Sequence, residues 1–338
     1  MNLMILSPGR RVDIVEYFKK EFHVNKGFVY TLDITKYSSA LYYGDDYFVI
    51  EKDFSNLDKY INKVIDICIS KKVDAVITLI DPELELLAKN KAKFESNGII
   101  PIVSDLETIS LTFDKYIFFE KLRDSFPVVP TWKSVHDCLL AINNREVCFP
   151  IFAKIRNGSG SVGICKVEDL NALKSYSSFD NYVFQPYLLK NEYGMDMYFD
   201  MISGKLVSYF IKKKINMRSG ETDKSISIKN RELENLALKL TSFNFRGPID
   251  MDIFEDSDGN FIINEINPRI GGGYPHAYNC GVNFMKKIVN NLNGIENIVE
   301  LGAYEENIVM MKYNSALYMK QIQDRLVPEE KEFVCQRL

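Results

Sequence analysis

Through its first 112 residues the chain alternates short apolar runs with amphipathic stretches, and this alternation constrains the fold more than any other feature. The apolar runs are typical of buried strands, and the amphipathic stretches are typical of helices. A βαβ series of this kind predicts a mostly parallel sheet with helices on both faces. The predicted strands lie near residues 2–6, 28–32, 75–79 and 99–103, and the predicted helices near residues 10–21, 56–70 and 82–95.

Two loops of this part follow the carboxyl ends of predicted strands, at residues 7–11 and 80–83. Ligands of parallel α/β sheets bind at such loops, so we expect both loops to be able to reach a substrate. The second loop has an alternative interpretation as a helix N-terminus. In that interpretation Asp81 is the N-cap, Pro82 takes the first helical position and Glu83 is favourable to the helix dipole.

The pattern changes after residue 112. Asp114 and Lys115 open a predicted helix, two prolines bracket a linker, and a section of strands and hairpins follows with one predicted helix near residues 231–243. The predicted fold is therefore α/β followed by α+β. The predicted domains are residues 1–112, residues 113–295 with a lid subdomain near residues 130–185, and a C-terminal extension of residues 296–338 in which we recognise no motif.

Composition and charge exclude several classes of protein. The 338 residues contain 42 Lys plus Arg and 46 Asp plus Glu, a net charge of −4, so the chain lacks the positive field that supplies most nucleic-acid affinity. The opening apolar run, residues 3–6, is too short for a signal peptide, and no run approaches the roughly 18 apolar residues of a membrane span. The six cysteines contain no C-x-x-C pair, which is typical of reduced thiols in a cytoplasmic protein. We therefore expect neither a nucleic acid nor a membrane as partner.

A glycine-rich segment connects two predicted strands at residues 156–163. Small residues let backbone N–H groups close around phosphate oxygens, and Lys154 on the preceding strand supplies a positive charge. The segment lacks the G-x-x-x-x-G-K-[ST] pattern of a P-loop and returns to a strand where that motif would start a helix. We interpret it as a nucleotide lid, with a flexible hairpin tip as the alternative.

A second hairpin carries acidic residues on one face. Its first strand alternates strictly between apolar and acidic residues, so Asp250 and Asp252 share a face. On the returning strand, residues 261–267, Glu265 and Asn267 also share a face. Antiparallel pairing of the two strands is therefore predicted to bring these carboxylates and the amide close together.

Carboxylates placed side by side on a half-buried sheet repel each other, and neither strand offers a lysine on that face. We therefore expect a cation to balance the charge. Hard oxygen ligands in this small number fit Mg²⁺, so Asp252, Glu265 and Asn267 are the predicted metal ligands. The alternative is a solvated acidic hairpin without a metal.

Taken together, these residues resemble an ATP-grasp enzyme, and in particular the subgroup similar to one half of the carbamoyl-phosphate synthase large subunit. The strand from Glu265 to Arg269, with the three glycines at residues 271–273, is similar to the metal-binding strand and loop of that superfamily. The resemblance covers approximately residues 1–295, and its segments follow the order of the family. The upstream segments that carry it are Asp114-Lys115, Lys154 with its glycine loop, Phe184-Gln185-Pro186-Tyr187, Glu192-Tyr193-Gly194-Met195-Asp196 and Gly220-Glu221.

The resemblance implies a Rossmann-like pre-ATP-grasp domain followed by an ATP-grasp fold, with ATP and two Mg²⁺ ions, or Mn²⁺ in their place, as cofactors. Lys115 and Lys154 would contact the ATP phosphates. Gln185, which stands where family members often have Glu, would contact the adenine, and Glu192 the ribose hydroxyls. Arg269 would face the γ-phosphate and share the catalytic role with Lys154. The implied nucleotide-binding set is Lys115, Lys154, Gly158, Ser159, Gly160, Ser161, Gln185, Tyr187 and Glu192, and the implied metal ligands are Asp252, Glu265 and Asn267.

The activity that the resemblance implies is the ligation of a small-molecule carboxylate to an amine through an acyl-phosphate, with release of ADP and phosphate. Two alternatives stay open: a non-catalytic ATP-binding module, and carboxylate phosphorylation like that of carbamoyl-phosphate synthase. A homodimer also stays open. The lysines at residues 212–214 could grip phosphate or a substrate carboxylate, or form a solvated edge. His276 could orient the acceptor, or be a hydrogen-bonded structural histidine.

Overall fold

The computed structural model of the chain describes residues 1–160, 162–188, 191–323 and 325–328. The N-terminal part forms a parallel sheet with helices around it, which confirms the predicted α/β class. Its strands are β1 (Leu3–Leu6), β2 (Val29–Asp33), β3 (Asp46–Val49), β4 (Ala75–Thr78) and β5 (Ile100–Pro101), and its helices are α1 (Val12–Val24), α2 (Leu57–Ser70), α3 (Asp81–Lys89), α4 (Lys91–Glu95) and α5 (Leu106–Phe113). The strand order is β3-β2-β1-β4-β5.

Two details of this part differ from the sequence-based expectation. The edge strand β3 was not predicted, and its residues alternate between half-buried and exposed positions. The predicted helix over residues 82–95 is two helices, α3 and α4, which meet at Asn90. The proposed domain boundary at residue 112 falls inside the last turn of α5.

The remaining chain forms a large sheet, a small sheet and a hairpin. Its strands are β6 (Ile151–Ile155), β7 (Cys165–Val167), β8 (Tyr182–Pro186), β9 (Glu192–Phe199), β10 (Leu206–Arg218), β11 (Glu221–Ser227), β12 (Gly247–Glu255), β13 (Phe261–Asn267), β14 (Val309–Met311), β15 (Met319–Ile322) and β16 (Arg325–Pro328). Its helices are α6 (Lys115–Leu122), α7 (Val135–Asn143), α8 (Leu170–Lys174), α9 (Arg231–Lys239), α10 (Tyr274–Asn279) and α11 (Phe284–Leu292). The large sheet has the order β13-β12-β9-β10-β11-β14, the small sheet has the order β7-β6-β8, and β15 pairs with β16.

Several elements of this part were missed or only partly predicted. The expectation of a single helix among the strands was wrong, because α8 also lies there, capped by the Asp169 side chain. Helix α7, which precedes β6 and is capped by Ser134, was not predicted at all. Strand β14 comes from the C-terminal extension and adds to the large sheet beside β11. Among the described residues no helix has the length and apolar character that a membrane span requires.

Strand β1 joins the two main hydrophobic cores because its side chains alternate between the two faces of the sheet. Leu3 and Ile5 pack in a core that continues through the large sheet, whereas Met4 and Leu6 pack with α2 and α3. The small sheet has a separate core with α7 and α8. The small sheet is thus packed mainly on its own helices.

Tyr274 fixes the connection between α10 and α11. Its side chain is fully buried, and its hydroxyl donates to the carbonyl of Val282 at 2.9 Å and accepts from the N–H of Phe284 at 2.7 Å. The ring also stacks on that of Phe284, with 4.6 Å between centroids. One hydroxyl therefore satisfies two backbone groups in a dry environment.

We predict that Tyr274→Phe lowers the free energy of unfolding by roughly 1–3 kcal/mol, because it leaves a buried donor and a buried acceptor without partners. Chemical denaturation followed by fluorescence measures the change. Tyr47→Phe removes a hydroxyl from a side chain that is 40% exposed and serves as the matched control, with an expected change within about 0.5 kcal/mol. Equal effects of the two substitutions would contradict the structural role of Tyr274.

Candidate functional site

A cleft of about 460 Å³ lies against one face of the large sheet, between the glycine-rich hairpin and the N-terminal part. It gathers the predicted phosphate-binding residues and the predicted metal ligands in one place. The predicted site residues that line it are Lys115, Lys154, Gly158, Ser159, Gly160, Glu192, Asp252, Glu265, Asn267 and Arg269. Ser161 lies outside the described residues.

Strands β12 and β13 pair antiparallel in the register that the sequence predicted. Asp252 lies opposite Glu265, and Asp250 lies opposite Asn267. The amide of Asn267 donates to Glu265 Oε1 at 3.3 Å. Acidic side chains of neighbouring strands therefore share one face of the sheet, as expected.

Lys214 lies among these acids, although neither strand of the acidic hairpin carries a lysine on that face. Its ammonium donates to Asp252 Oδ1 at 2.5 Å and to Glu192 Oε1 at 2.6 Å. Burial alone would lower the pKa of Lys214, but the two carboxylates raise it above its usual value. The lysine was missed because it lies on β10, which is separated from β12 by β9 in the sheet.

Gly194 on β9 leaves room for the Lys214 side chain to extend across that strand. In the ladder this glycine lies opposite Asp252 on one side and Lys212 on the other. A Cβ at this position would lie 3.0 Å from Lys212 Cε and 3.1 Å from Lys214 Cε. Because Gly194 has no side chain, Lys212 and Lys214 can extend across β9 toward the acids.

Lys212 and Asp196 form a second ion pair that is almost fully buried. The second carboxylate oxygen of Asp196 has no hydrogen-bond partner among the described residues. Gly273 lies directly above the pair, since a Cβ there would be 2.8 Å from Lys212 Cε. The interpretation of this lysine run as a solvated edge is therefore wrong for Lys212 and Lys214.

Arg269 connects the end of β13 to the N-terminal part. Its guanidinium bonds Asp81 Oδ1 at 2.9 Å and Asp250 Oδ2 at 3.0 Å. Burial would lower the pKa of Arg269, and the two carboxylates raise it above its usual value. Gly271 makes room for this arrangement, because a Cβ there would lie 2.5 Å from the Asp250 carboxyl carbon. Arg269 lines the cleft as predicted, and it is already paired with two acids.

The loop at residues 80–83 differs from the helix-capping alternative. Ile80 occupies the N-cap position and Asp81 is the first helical residue, with its side chain turned to Arg269. Glu83 is buried and accepts from Lys52 Nζ at 2.6 Å, as well as from neighbouring hydroxyls. Asp81 therefore belongs to the site, and Glu83 supports the N-terminal part.

Of the two predicted phosphate lysines, Lys115 contacts the glycine-rich hairpin and Lys154 contacts β13. Lys115 Nζ donates to the carbonyl of Gly158 at 2.6 Å, and Lys154 Nζ donates to Asn264 Oδ1 at 3.2 Å. Burial lowers the pKa of both ammonium groups, and Glu265 acts in the opposite direction on both. Among the described residues, each lysine donates to a neutral oxygen. Both are therefore free to bind an anion.

The predicted hinge residues lie behind the cleft wall. Gln185 is 2% exposed, and its amide donates to Thr131 Oγ1 at 2.9 Å. Its carbonyl oxygen has no partner within the part of the chain that the structure describes. The Tyr187 ring packs on Phe152, with 4.6 Å between centroids, and Phe152 lines the cleft. Neither Gln185 nor Tyr187 is itself a lining residue.

The metal prediction rests on oxygen ligands of mixed type. Within the described ranges no three His, Cys, Asp or Glu side chains form a group that could hold a metal. The predicted set contains two carboxylates and one amide, which is the number that Mg²⁺ combines with water and phosphate oxygens. One of these carboxylates, Asp252, is bound by Lys214. The metal site stays a prediction.

Sequence reasoning missed Lys312, which follows β14. Its ammonium donates to the carbonyl of Gly272 at 2.6 Å and lies 3.5 Å from Glu221 Oε2. Arg11, from the first predicted substrate loop, lies 3.7 Å from the same carboxylate and lines the cleft. No local signal marks Lys312, because its neighbours in the sequence form no recognisable motif.

His276 is a buried structural residue. Its Nε2 lies 3.0 Å from the carbonyl of Ile308 and its Nδ1 lies 2.8 Å from Ser225 Oγ. A carbonyl only accepts, so Nε2 carries the proton and Nδ1 accepts from the serine hydroxyl. Burial, together with the nearby Lys212, lowers the pKa of His276 to about 4. The hydrogen-bonded alternative for this histidine is confirmed.

Two family models match the chain. Residues 3–102 match the PylC-like N-terminal domain, and residues 178–315 match the ATP-grasp family described as belonging to the biosynthetic pathway with the Ter operon. The search of curated proteins found no match.

Solved structures share the fold at low sequence identity. The N5-carboxyaminoimidazole synthetase of Staphylococcus aureus is 17% identical over 87% of this chain and 77% of its own, with a TM-score of 0.67. The biotin carboxylase domain of Hydrogenobacter thermophilus 2-oxoglutarate carboxylase is 16% identical over 91% and 73%, with a TM-score of 0.72, and was solved with MgADP, ADP and bicarbonate. Biotin carboxylase of Campylobacter jejuni is 15% identical over 91% and 74%, also with a TM-score of 0.72.

We predict that His276 makes the protein less stable in acid. The folded state holds its pKa near 4, below the ordinary 6.5, so the stabilisation is complete above pH 6.5 and is lost as the pH falls from 6.5 to 4. His276→Gln should reduce the loss of unfolding free energy across that window by roughly 3 kcal/mol. Urea unfolding at several pH values measures how the free energy of unfolding of each protein depends on pH. The same pH dependence for the wild type and for His276→Gln would contradict this assignment.

Proposed function

We propose that the chain is an ATP-dependent ligase that couples a small-molecule carboxylate to an amine, since it matches the PylC-like N-terminal domain over residues 3–102 and an ATP-grasp family over residues 178–315. The observation that carries this proposal is the shared cleft. One end holds two lysines with a glycine-rich hairpin, and the adjoining sheet face carries Asp252, Glu265 and Asn267. Phosphoryl transfer needs this pairing of phosphate contacts with a metal-binding face.

The nucleotide would lie under the hairpin. Lys115, Lys154 and the backbone of Gly158 and Gly160 line that part of the cleft and suit the phosphates. The unpartnered oxygen of Gln185 suits a donor such as the adenine amino group, if a small movement of the hinge exposes it. Tyr187 would support the base through Phe152. Glu192, which faces the cleft, suits the ribose hydroxyls.

Mg²⁺ is the ion that this donor set fits, with Mn²⁺ as an alternative of similar coordination and two ions as the proposed number. Asp252, Glu265 and Asn267 would hold it. A metal held by these residues would supply positive charge that offsets the charge of the phosphates. In that state Lys214 would release Asp252, and its ammonium would turn to another anion in the cleft.

In the proposed reaction a carboxylate oxygen of the substrate attacks the γ-phosphorus, the bond to the β-phosphate oxygen breaks, and ADP and an acyl-phosphate form. The amine nitrogen then attacks the acyl carbon, the carbon–oxygen bond to phosphate breaks, and the nitrogen loses a proton. Arg269 would neutralise the charge on the transferred group, together with Lys154. Closure of the hairpin would exclude water from the acyl-phosphate.

The chain is further proposed to work in the cytoplasm, because its cysteines within the described ranges are free thiols. Its substrates are proposed to be small molecules, since the cleft has the volume of a small-molecule site. A homodimer stays a hypothesis.

A coupled assay of ADP release tests the function. Carboxylates are screened against amines with Mg²⁺, and hydroxylamine serves as a trap that turns an acyl-phosphate into a hydroxamate. We expect ADP and hydroxamate in equal amounts for the accepted carboxylate, and none in EDTA. ATP binding without ADP release would instead favour the non-catalytic module, and ADP release that no amine alters would favour carboxylate phosphorylation alone.

We predict that Glu265→Gln lowers kcat by at least about 100-fold, because preorganised charges at such sites commonly contribute ~3–4 kcal/mol to the transition state. Steady-state ADP release measures kcat. Glu232→Gln changes an exposed acid on α9 and is the matched control, with kcat expected to stay at the wild-type value. Circular dichroism verifies that both variants are folded. Normal turnover of Glu265→Gln would contradict the metal-binding role.

A further inference from the structure

A group of basic side chains surrounds Glu221 where the N-terminal part, the large sheet and the segment after β14 meet. Arg10 Nη2 lies 3.5 Å, Arg11 Nε 3.7 Å and Lys312 Nζ 3.5 Å from the carboxylate. We call Arg10, Arg11, Lys312 and Glu221 the basic cluster. Each ion pair is long for a direct hydrogen bond, so the carboxylate satisfies none of the three cations fully.

The charges of the basic cluster do not balance. Within the cluster three cations face one carboxylate; Asp13 lies near Lys312, and Asp81 and Asp250, which pair with Arg269, lie near Arg11. Arg11 and Lys312 are 17% and 26% exposed in their side chains. Burial lowers the pKa of both groups below their usual values, which reflects incomplete compensation of a desolvated charge. Arg10, Arg11 and Lys312 thus share Glu221 as their common carboxylate beside the cleft.

The strand β13 and the loop after it lead from the nucleotide end of the cleft to the basic cluster. Asn264 bonds Lys154 of the lid, and Glu265 follows on the metal-binding face. Farther along, the carbonyl of Ile270 accepts from Arg11 Nη1 at 3.1 Å, and the carbonyl of Gly272 accepts from Lys312. The lid, the acids and the basic cluster therefore follow one another along this continuous segment.

The amine adds to one face of the planar acyl carbonyl, and phosphate then leaves from the tetrahedral adduct, so the amine needs space beside the acyl group that the nucleotide does not fill. The end of the cleft at the basic cluster is lined by Arg11, Glu221 and Gly272. We propose that Arg10, Arg11 and Lys312 bind an oxyanion group, a carboxylate or a phosphate, carried by the amine substrate.

This inference rests on the proposed ligase function, and it assigns a role to a residue outside both the lid and the acidic hairpin. Lys312 reaches the cluster because β14 pairs with β11 and the chain then turns toward Gly272. A Cβ at Gly272 would lie 2.6 Å from Glu221 Cγ, so the glycine loop lies directly on the cluster. Lys312 is therefore a specificity residue supplied by the C-terminal extension.

The test compares amines in pairs that differ only in the anionic group. An amino acid is paired with its decarboxylated amine, and phosphoethanolamine with ethanolamine, each with the carboxylate that the hydroxylamine screen identifies. We expect the accepted amine to carry one of the two anions, which distinguishes carboxylate from phosphate. Lys312→Met should raise the KM for that amine at least about tenfold. Its effect on the KM for hydroxylamine and for the amine that lacks the anionic group should be much smaller.

Two further variants separate binding from structure. Lys312→Arg keeps the charge and should recover most of the lost affinity. Lys320→Met changes an exposed lysine of the same extension and should leave every KM at the wild-type value. Equal increases in the KM for the anionic amine, for its counterpart without the anionic group and for hydroxylamine would overturn the inference. Acceptance of amines without an anionic group would also overturn it.

Calorimetric titration of the same amines into the full chain in the presence of MgADP measures their binding affinity and tests the inference independently of catalysis. Absence of ADP release and hydroxamate with every carboxylate would reject the ligase function alone. Binding of an anionic amine that Lys312→Met weakens at least about tenfold would still support the basic cluster as an oxyanion site. Failure of wild-type protein to bind any anionic amine would overturn it.

Discussion

The ion pairs of Lys214 across Gly194 are the interaction on which the rest of the site depends. Asp252 and Glu192 lie on different strands and face the same cleft, where repulsion between carboxylates is little screened. One ammonium group between them makes this face compatible with a folded sheet before any ligand binds. Because a buried ion pair gains little net stability, its value here lies in holding two ligand-binding acids in place. A metal that takes over Asp252 would then find its ligands already oriented.

Much of the fold and part of the site follow from the sequence because the signals are local. Period-two alternation determines which side chains share a face, so the pairing of Asp252 with Glu265 could be predicted from two strands joined by a short turn. The parallel N-terminal sheet followed equally from apolar runs spaced by helices. Strand β3 and helix α7 were missed, because a half-buried edge strand and a short capped helix leave weak patterns.

The partners that the sequence could not supply are those set by sheet order and by packing between distant segments. Lys214 reaches Asp252 because β9 lies between β10 and β12, an order that no periodicity encodes. Arg269 was expected to face a phosphate, and its pairing with Asp81 depends on how the N-terminal part packs against the sheet. Lys312 depends on the addition of β14 to the edge of the sheet. Each of these contacts joins residues whose separation in the chain hides them from pattern analysis.

The residues proposed for phosphoryl transfer and those proposed for amine binding also differ in the kind of contact that assembles them. The lysines proposed for phosphate binding lie on α6 and β6, and the proposed metal ligands lie on the β12–β13 hairpin. The cleft region proposed for the amine is assembled from the first loop, the β10–β11 turn and the segment after β14, and these segments meet only through tertiary packing. Changes in those segments need not disturb Glu265 or Asp252, because the large sheet holds these acids independently. A fold built in this way would keep one phosphoryl-transfer apparatus while the second substrate changes, and in our proposal residues such as Lys312, which belong to no motif recognised in the sequence, select that substrate.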